Sequence, residues 1–91
     1  MKKKELLKCA IERYGAASQT LMAFEEMAEL QKELSKNARG NSNRAQIAEE
    51  IADVRIMLDQ MEILHGCSFL AHGYEKAKLK RLADKLGVDY A

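Results

Sequence analysis

The sequence has no proline and no tryptophan, and aromatic residues make up 5% of its 91 positions. Because proline is absent and glycine occurs only five times, long helices meet few interruptions. No run approaches the roughly 20 apolar residues that cross a bilayer. The basic start, MKKKELLKCA, lacks the apolar segment and cleavage site of a signal peptide. We therefore expect a cytoplasmic protein with no membrane partner.

The chain also has a small net charge and only two cysteines. A formal net charge of +1 gives no electrostatic reason to expect nucleic-acid binding. Cys9 and Cys67 lack the close spacing of a metal-binding pair, so we expect two reduced, buried thiols. Hydrophobic residues make up 47% of the chain, enough for one small core. Residues 1–91 are therefore predicted to form a single domain.

Apolar residues recur at helical spacing in segments that end at glycine or at the polar loop NARGNSN. The predicted helices are Lys3 to Tyr14, a second that follows Ser18 and runs to about Asn37, Arg44 to His65, and a fourth that follows Ser68 and runs to Leu86. Ser18, Asn43 and Ser68 are the expected N-caps. No segment alternates like a strand, so the sequence predicts an all-α bundle.

The second predicted helix contains the acidic stretch FEEMAELQKEL. On a helical wheel its apolar residues fill about half of the circumference. They are Leu21, Ala23, Phe24, Met27, Ala28, Leu30 and Leu34. Glu25, Glu26 and Glu29 crowd the other side. Taken alone, this pattern indicates an apolar core face and a solvated acidic face.

The third predicted helix places acids within its apolar stripe. Glu50 falls inside the stripe and Asp53 lies at its border. A carboxylate in that position is costly to bury unless something compensates its charge. Glu50 can reach the edge of the bundle or pair with Arg55 or Lys32; otherwise the position calls for a bound cation.

Each of these two helices presents carboxylates three residues apart. If the helices are antiparallel neighbours, Glu26, Glu29, Glu50 and Asp53 converge on one point. Hard oxygen ligands of this kind suit Mg²⁺ or Mn²⁺, and Mg²⁺ keeps waters that phosphate oxygens can replace. The spacing therefore favours a site for a divalent cation and a phosphorylated ligand.

The paired motif resembles that of the MazG-like nucleoside triphosphate pyrophosphohydrolases, an all-α superfamily. The family pattern is EExxE, a spacer with a loop, and then ExxD. Here it reads EEMAE at positions 25–29 and EIAD at positions 50–53, preceded by YGAASQ at positions 14–19. The resemblance covers most of the chain in order. It implies a bundle of four to five helices that assembles as a homodimer or homotetramer.

The resemblance also implies an activity: Mg²⁺-dependent hydrolysis of a nucleoside triphosphate to the monophosphate and pyrophosphate, in nucleotide-pool housekeeping. Mn²⁺ is an alternative metal. The implied metal ligands are Glu26, Glu29, Glu50 and Asp53. Glu25 is the implied catalytic base or a ligand of a second metal ion, and Glu49 is the other candidate for the base. Either residue can instead be a solvated neighbour of the ligands.

Substrate contacts are expected from the fourth and first helices. Lys78, Arg81 and Lys85 lie close together on the wheel beside Tyr74. They resemble a basic pair that family members use for phosphate, although the stripe can equally be a solvated basic face. Tyr14 and Gln19 are the candidates for the base pocket. The family's tryptophan in this region is absent.

Two other classes of function are compatible with parts of the sequence. Glu62 and His65 form one ExxH motif, whereas a ferritin-like di-iron centre needs two such motifs and two further glutamates. Ala52, Ile56 and Ile63 form a second apolar stripe on the third helix, which suggests a homodimer and fits a non-catalytic helical interaction module. Mg²⁺-dependent pyrophosphate release distinguishes the enzyme from the interaction module.

Overall fold

The computed structural model describes all 91 residues. Its helices are α1 (Lys3–Tyr14), α2 (Ala16–Ala38), α3 (Arg44–His65) and α4 (Ser68–Leu86). It has no strand, so the predicted all-α class is confirmed. None of the four helices combines the length and the hydropathy that a membrane span requires.

Glycines end three of the helices, as the sequence predicts. Gly66 has a φ of 60°, in the left-handed region, and its N–H donates to the carbonyl of Ile63 while Cys67 N–H donates to Glu62. These bonds satisfy carbonyls that the end of α3 would otherwise leave free. Gly87, with a φ of 70°, ends α4 in the same way.

The predicted N-caps of α2 and α4 are wrong by a few residues. α2 begins at Ala16, directly after Gly15, so Ser18 lies inside the helix. Gly15 has a φ of 90°, which lets the chain turn and start the next helix without a longer loop. Ser68 is the first residue of α4 rather than its cap, and no side chain caps either helix.

Helices α2 and α3 form an antiparallel hairpin. At one end the Thr20 hydroxyl lies 3.9 Å from the Met61 sulfur, and at the other Asn43 bonds to Glu33. Helix α1 packs against both α2 and α3, and α4 packs against α3 alone. The Gln60 amide of α3 donates to a backbone carbonyl of α1 over 3.3 Å.

The buried apolar core is smaller than expected. It consists of Leu7, Ala23, Met57 and Ala83. The face of α2 that turns inward carries Gln19, Ala23, Glu26, Leu30 and Glu33. Leu21, Phe24, Met27 and Leu34, which the sequence assigns to the core, are instead exposed. The prediction is wrong there because the apolar arc of α2 is wider than one neighbouring helix covers.

The cysteines also differ from expectation. Both thiols are free, as expected. Cys9 is exposed and Cys67 is half-buried, so the prediction of two buried thiols is wrong. Cys9 lies on α1 outside the small core, where nothing packs over it.

A polar contact joins the end of α2 to the start of α3. The buried Asn43 amide donates to the backbone carbonyl of Glu33 over 2.9 Å and to its Oε1 over 3.0 Å. Lys36 Nζ lies 3.1 Å from the other carboxylate oxygen. The Asn43 hydrogen bond, followed by that of Lys36, lowers the pKa of Glu33 below its ordinary value. Asn43 therefore occupies the predicted N-cap position of α3, but its side chain bonds across the hairpin and makes no capping hydrogen bond.

We expect Asn43→Ala to lower the free energy of unfolding by about 1–3 kcal/mol, because it removes a buried side chain that donates twice. Asn41→Ala is the matched control, since Asn41 is exposed and makes one bond to a neighbouring backbone carbonyl. Denaturant unfolding at a fixed protein concentration measures both. Equal effects of the two variants would contradict the role given to Asn43.

The lowered pKa of Glu33 leads to a second prediction, on how the free energy of unfolding changes with pH. Because its folded pKa is lowered, its stabilising contribution is present above the ordinary value of 4.5 and is lost as pH falls through the folded pKa. The stability advantage of wild type over Glu33→Gln should therefore shrink as pH falls from 7 to about 3. Denaturant titrations of both proteins across this range measure it. A difference that is independent of pH would show that the Glu33 charge does not contribute.

Candidate metal centre

Helices α2 and α3 bring three carboxylates together where they pack. One oxygen each of Glu26, Glu50 and Asp53 lies within 4.8 Å of the others, and all three residues are half-buried. We call this group the carboxylate triad. Glu26 comes from the inward face of α2, and Glu50 and Asp53 lie one turn apart on α3.

One oxygen of the Glu50 carboxylate lacks a hydrogen-bond partner. Its Oε2 is the one buried side-chain nitrogen or oxygen of the protein that has no hydrogen-bond partner. Buried polar atoms are nearly always paired, so an orphan oxygen indicates a missing partner. Because this oxygen is buried, Glu50 does not extend to solvent at the edge of the bundle.

No cation of the protein supplies that partner. The ion pairs of the structure are Lys3–Asp59, Lys36–Glu33 and His72–Glu62. None of them includes a member of the triad. The expected alternative, in which Arg55 or Lys32 neutralises Glu50, is therefore absent from this structure.

The triad carboxylates repel one another. Burial raises the pKa of Glu50 above its ordinary value, with further contributions from the charges of Asp53 and Glu29. Burial is also the largest cause of the raised pKa of Glu26, followed by the charges of Asp53 and Glu50. Negative charge here is therefore unfavourable unless a cation compensates it.

The donor set fits a hard divalent cation. It consists of carboxylate oxygens, with no thiol or imidazole, which suits Mg²⁺ or Mn²⁺ better than soft metals. Three protein ligands would leave coordination positions for water or for phosphate oxygens. Glu50 has the greatest need for such an ion, because no protein group donates a hydrogen bond to its buried Oε2.

The remaining predicted acids lie outside the triad. Glu29 is exposed and does not belong to the group, although its charge contributes to the raised pKa values of Glu26 and Glu50. Glu25 and Glu49 are exposed, each directly before a triad residue in sequence. The structure thus brings together three of the four predicted ligands.

The predicted substrate contacts are dispersed. Lys78 and Arg81 are exposed on α4, a helix that packs against α3 alone, and neither forms an ion pair. Tyr14 is 61% exposed at the end of α1. Gln19 is buried on the inward face of α2. The structure therefore does not join these residues to the triad in one pocket.

Glu33 has a role that the sequence pattern alone did not indicate. It lies on the same face of α2 as Glu26, seven residues further on, and its charge contributes to the raised pKa of Glu50. Its bond to Asn43 fixes the hairpin next to the triad. The signal was the helical spacing of Glu26 and Glu33 together with a loop asparagine.

The ExxH motif takes no part in the triad. Glu62 lies 3.6 Å from the His72 imidazole, toward the opposite end of α3 from Glu50, and His65 is exposed. No second ExxH motif occurs in the chain. The structure therefore offers no di-iron centre.

No protein family, curated protein or solved structure with which the chain was compared matches it. The resemblance to the MazG-like enzymes therefore rests on the paired acidic motif. The geometry of the triad is a separate observation, because it concerns where α2 and α3 place the carboxylates in space.

The triad predicts that a charge-removing substitution stabilises the metal-free protein. Because the Glu50 pKa is raised, its ionisation destabilises the fold at pH 7, and this cost disappears below about 4.5. Glu50→Gln should therefore be at least as stable as wild type in EDTA at pH 7. The relative gain should decrease at pH 4, and millimolar Mg²⁺ should stabilise wild type more than the variant.

Thermal unfolding in EDTA and in Mg²⁺ measures this expectation. Glu49→Gln is the matched control, since Glu49 is the exposed neighbour of Glu50 and should change little. If Glu50→Gln is less stable in EDTA and Mg²⁺ shifts both proteins equally, then Glu50 has a structural role only.

Proposed function

We propose that the protein is a Mg²⁺-dependent nucleoside triphosphate pyrophosphohydrolase of the MazG-like type. The observation that supports this most is the orphan Oε2 of Glu50 within a cluster of three carboxylates. A structural role for these acids would leave that oxygen paired with a protein donor. A cytoplasmic role in maintaining the nucleotide pool is part of the proposal and follows from the resemblance.

In the proposed mechanism Glu26, Glu50 and Asp53 would hold Mg²⁺. Bound there, the ion would neutralise charge on the phosphate oxygens of the substrate. Water attacks the α-phosphorus, the bond to the bridging oxygen of the β-phosphate breaks, and the nucleoside monophosphate and pyrophosphate leave. Mn²⁺, with similar oxygen ligands, is the alternative metal.

An exposed carboxylate beside the triad is proposed to accept the proton of the attacking water. Glu25 and Glu49 both fit, because each is exposed and adjacent in sequence to a metal ligand. Neither is held in an ion pair, so both are available as bases. Glu29, exposed on the same helix as Glu26, is the proposed fourth ligand.

The substrate's phosphates call for cations besides the metal. Lys78 and Arg81 are proposed for this role because they are exposed on α4 and unpaired within the chain. Tyr14 and Gln19 are proposed for the base. Gln19 lies about 10 Å along α2 from Glu26, a distance that a nucleoside can span. Tyr14 is better placed for contact because Gln19 is buried.

A non-catalytic helical interaction module is the second candidate. The observation that favours it is the row of apolar residues that α2 exposes, including Phe24 and Leu34. Such a module has no need for an orphan carboxylate oxygen. Pyrophosphate release from a panel of ribo- and deoxynucleoside triphosphates, with Mg²⁺ and with EDTA, separates the two candidates. An interaction module would release none in either condition.

Asp53→Asn should lower kcat/KM by about 100-fold or more, because the amide keeps the shape of the side chain but loses the charge that a hard cation needs. Circular dichroism should show unchanged helix content. Asp59→Asn, on the same helix and outside the triad, is the matched control and should stay within a few-fold of wild type. Activity of Asp53→Asn within a few-fold of wild type would contradict the metal site.

A further inference from the structure

A groove separates α1 from α4, two helices that do not contact each other. It is lined by the first two turns of α1, the last two turns of α3 and the start of α4, and its volume is about 570 Å³. We call it the α1–α4 groove. Sites for small molecules have volumes of about 300–1,000 Å³, so the groove has room for such a ligand.

The α1–α4 groove is distinct from the carboxylate triad. The α3 residues that line it are Asp59, Glu62 and Ile63. They lie about 13–20 Å further along α3 than Glu50 and point about 120–180° away from it around the helix. A ligand in the groove would therefore share no residue with a cation bound at the triad.

The two acids of the groove already have basic neighbours. Asp59 forms an ion pair with Lys3 of α1, and Glu62 Oε1 lies 3.6 Å from the His72 imidazole of α4. These contacts reduce the repulsion that either carboxylate would exert on an anion in the groove.

Two lysines of the groove have no acidic partner. Lys4 and Lys8 both line it, and neither forms an ion pair. They are four residues apart on α1, so their ammonium groups are neighbours that repel each other. A phosphomonoester carries about −1.5 to −2 charges at pH 7, which matches these two positive charges. A single carboxylate would leave one of them uncompensated.

The opposite side of the groove offers a hydroxyl group and an aromatic ring. The Ser68 hydroxyl forms no hydrogen bond within the chain and can donate to a phosphate oxygen. Phe69 lines the groove and is 91% exposed, more than any other large apolar residue of the protein. A flat ligand can stack on its ring. Leu7 and Ile63 add an apolar surface between the two helices.

We propose that the α1–α4 groove binds a small phosphomonoester with an aromatic or heteroaromatic body. Lys4 and Lys8 hold the phosphate, and Phe69 packs against the ring. Because this ligand contacts both α1 and α4, it also restrains α4, which otherwise packs against α3 alone. The inference goes beyond the proposed activity and does not rest on it.

The first test titrates isotope-labelled protein with phenyl phosphate, adenosine monophosphate and inorganic phosphate, in EDTA so that the triad holds no metal. At least one phosphomonoester should shift the amide NMR signals of Ser68 and Phe69 saturably, with a Kd about fivefold or more below that of inorganic phosphate. The tighter of the two indicates the size of the ligand's body. Absence of saturable binding, equal affinity for inorganic phosphate, or shifts confined to other residues overturns the proposal.

The second test removes the two free charges. The double variant Lys4→Gln, Lys8→Gln should bind the tighter phosphomonoester about tenfold more weakly than wild type. Arg39→Gln, Lys80→Gln is the matched control, because both residues are exposed, lie outside the groove and form no ion pair. The control removes the same net charge and should change the Kd less than about twofold. Equal losses in both double variants overturn the proposal.

The third test separates the ring from the phosphate. Phe69→Ala should weaken binding of the phosphomonoester by about fivefold and leave binding of inorganic phosphate unchanged. Tyr74→Ala, at another exposed aromatic residue of α4 outside the groove, should change neither. All the substituted side chains are exposed, so the variants should keep the wild-type fold, which their amide spectra show. Unchanged affinity in Phe69→Ala overturns the role of the ring.

These readouts involve neither Mg²⁺ nor turnover. Binding in the groove without pyrophosphate release would refute the proposed function and leave this inference standing. Pyrophosphate release without binding in the groove would do the reverse.

Discussion

The carboxylate of Glu50 between α2 and α3 is the constraint on which much of this structure depends. An ionised group in that position needs a compensating charge or hydrogen-bond donor. The protein surrounds Glu50 with further acids, since Glu26 and Asp53 contribute oxygens within 4.8 Å. No lysine, arginine or histidine side chain forms an ion pair with these three acids, because the ion pairs of the structure lie elsewhere. This arrangement concentrates negative charge at one point of the helix pair, which is the charge that the proposed divalent cation would compensate.

The same helix pairing also decides which apolar residues of α2 stay exposed. For Glu26 to meet Glu50 and Asp53, α2 must turn a face that includes Gln19 and Glu33 toward α3. That rotation leaves Phe24 and Leu34 exposed. A triad inside the hairpin and an apolar surface outside it are therefore two consequences of one rotation.

The contact of Asn43 with Glu33 fixes the position of α2 along α3. It fixes the end of α2 against the start of α3 through two hydrogen bonds from one buried amide. The loop sequence suggested a helix cap there, which is the commoner role of an asparagine before a helix. Whether the side chain caps α3 through its Oδ1 or bonds across the hairpin depends on the groups that α2 presents: here Oδ1 accepts from Asn37 and Nδ2 donates to Glu33. The local sequence around Asn43 does not contain that information, because Glu33 belongs to the other helix.

The sequence by itself determined the helices and the chemistry of the acids. Apolar periodicity and the glycines predicted four helices, two of them with the observed bounds (Lys3–Tyr14 and Arg44–His65). The EEMAE and EIAD spacing predicted that Glu26, Glu29, Glu50 and Asp53 converge if their helices are antiparallel neighbours, and the structure brings three of these four together. Only the tertiary structure decided which arc of α2 faces α3, that Glu29 stays outside the triad, and that α4 packs against α3 alone. The reason is that periodicity fixes the angles between residues on one helix, whereas the rotation of that helix depends on all the surfaces it buries. When the apolar arc is wider than one partner covers, as in α2, several rotations satisfy the local pattern and packing selects among them.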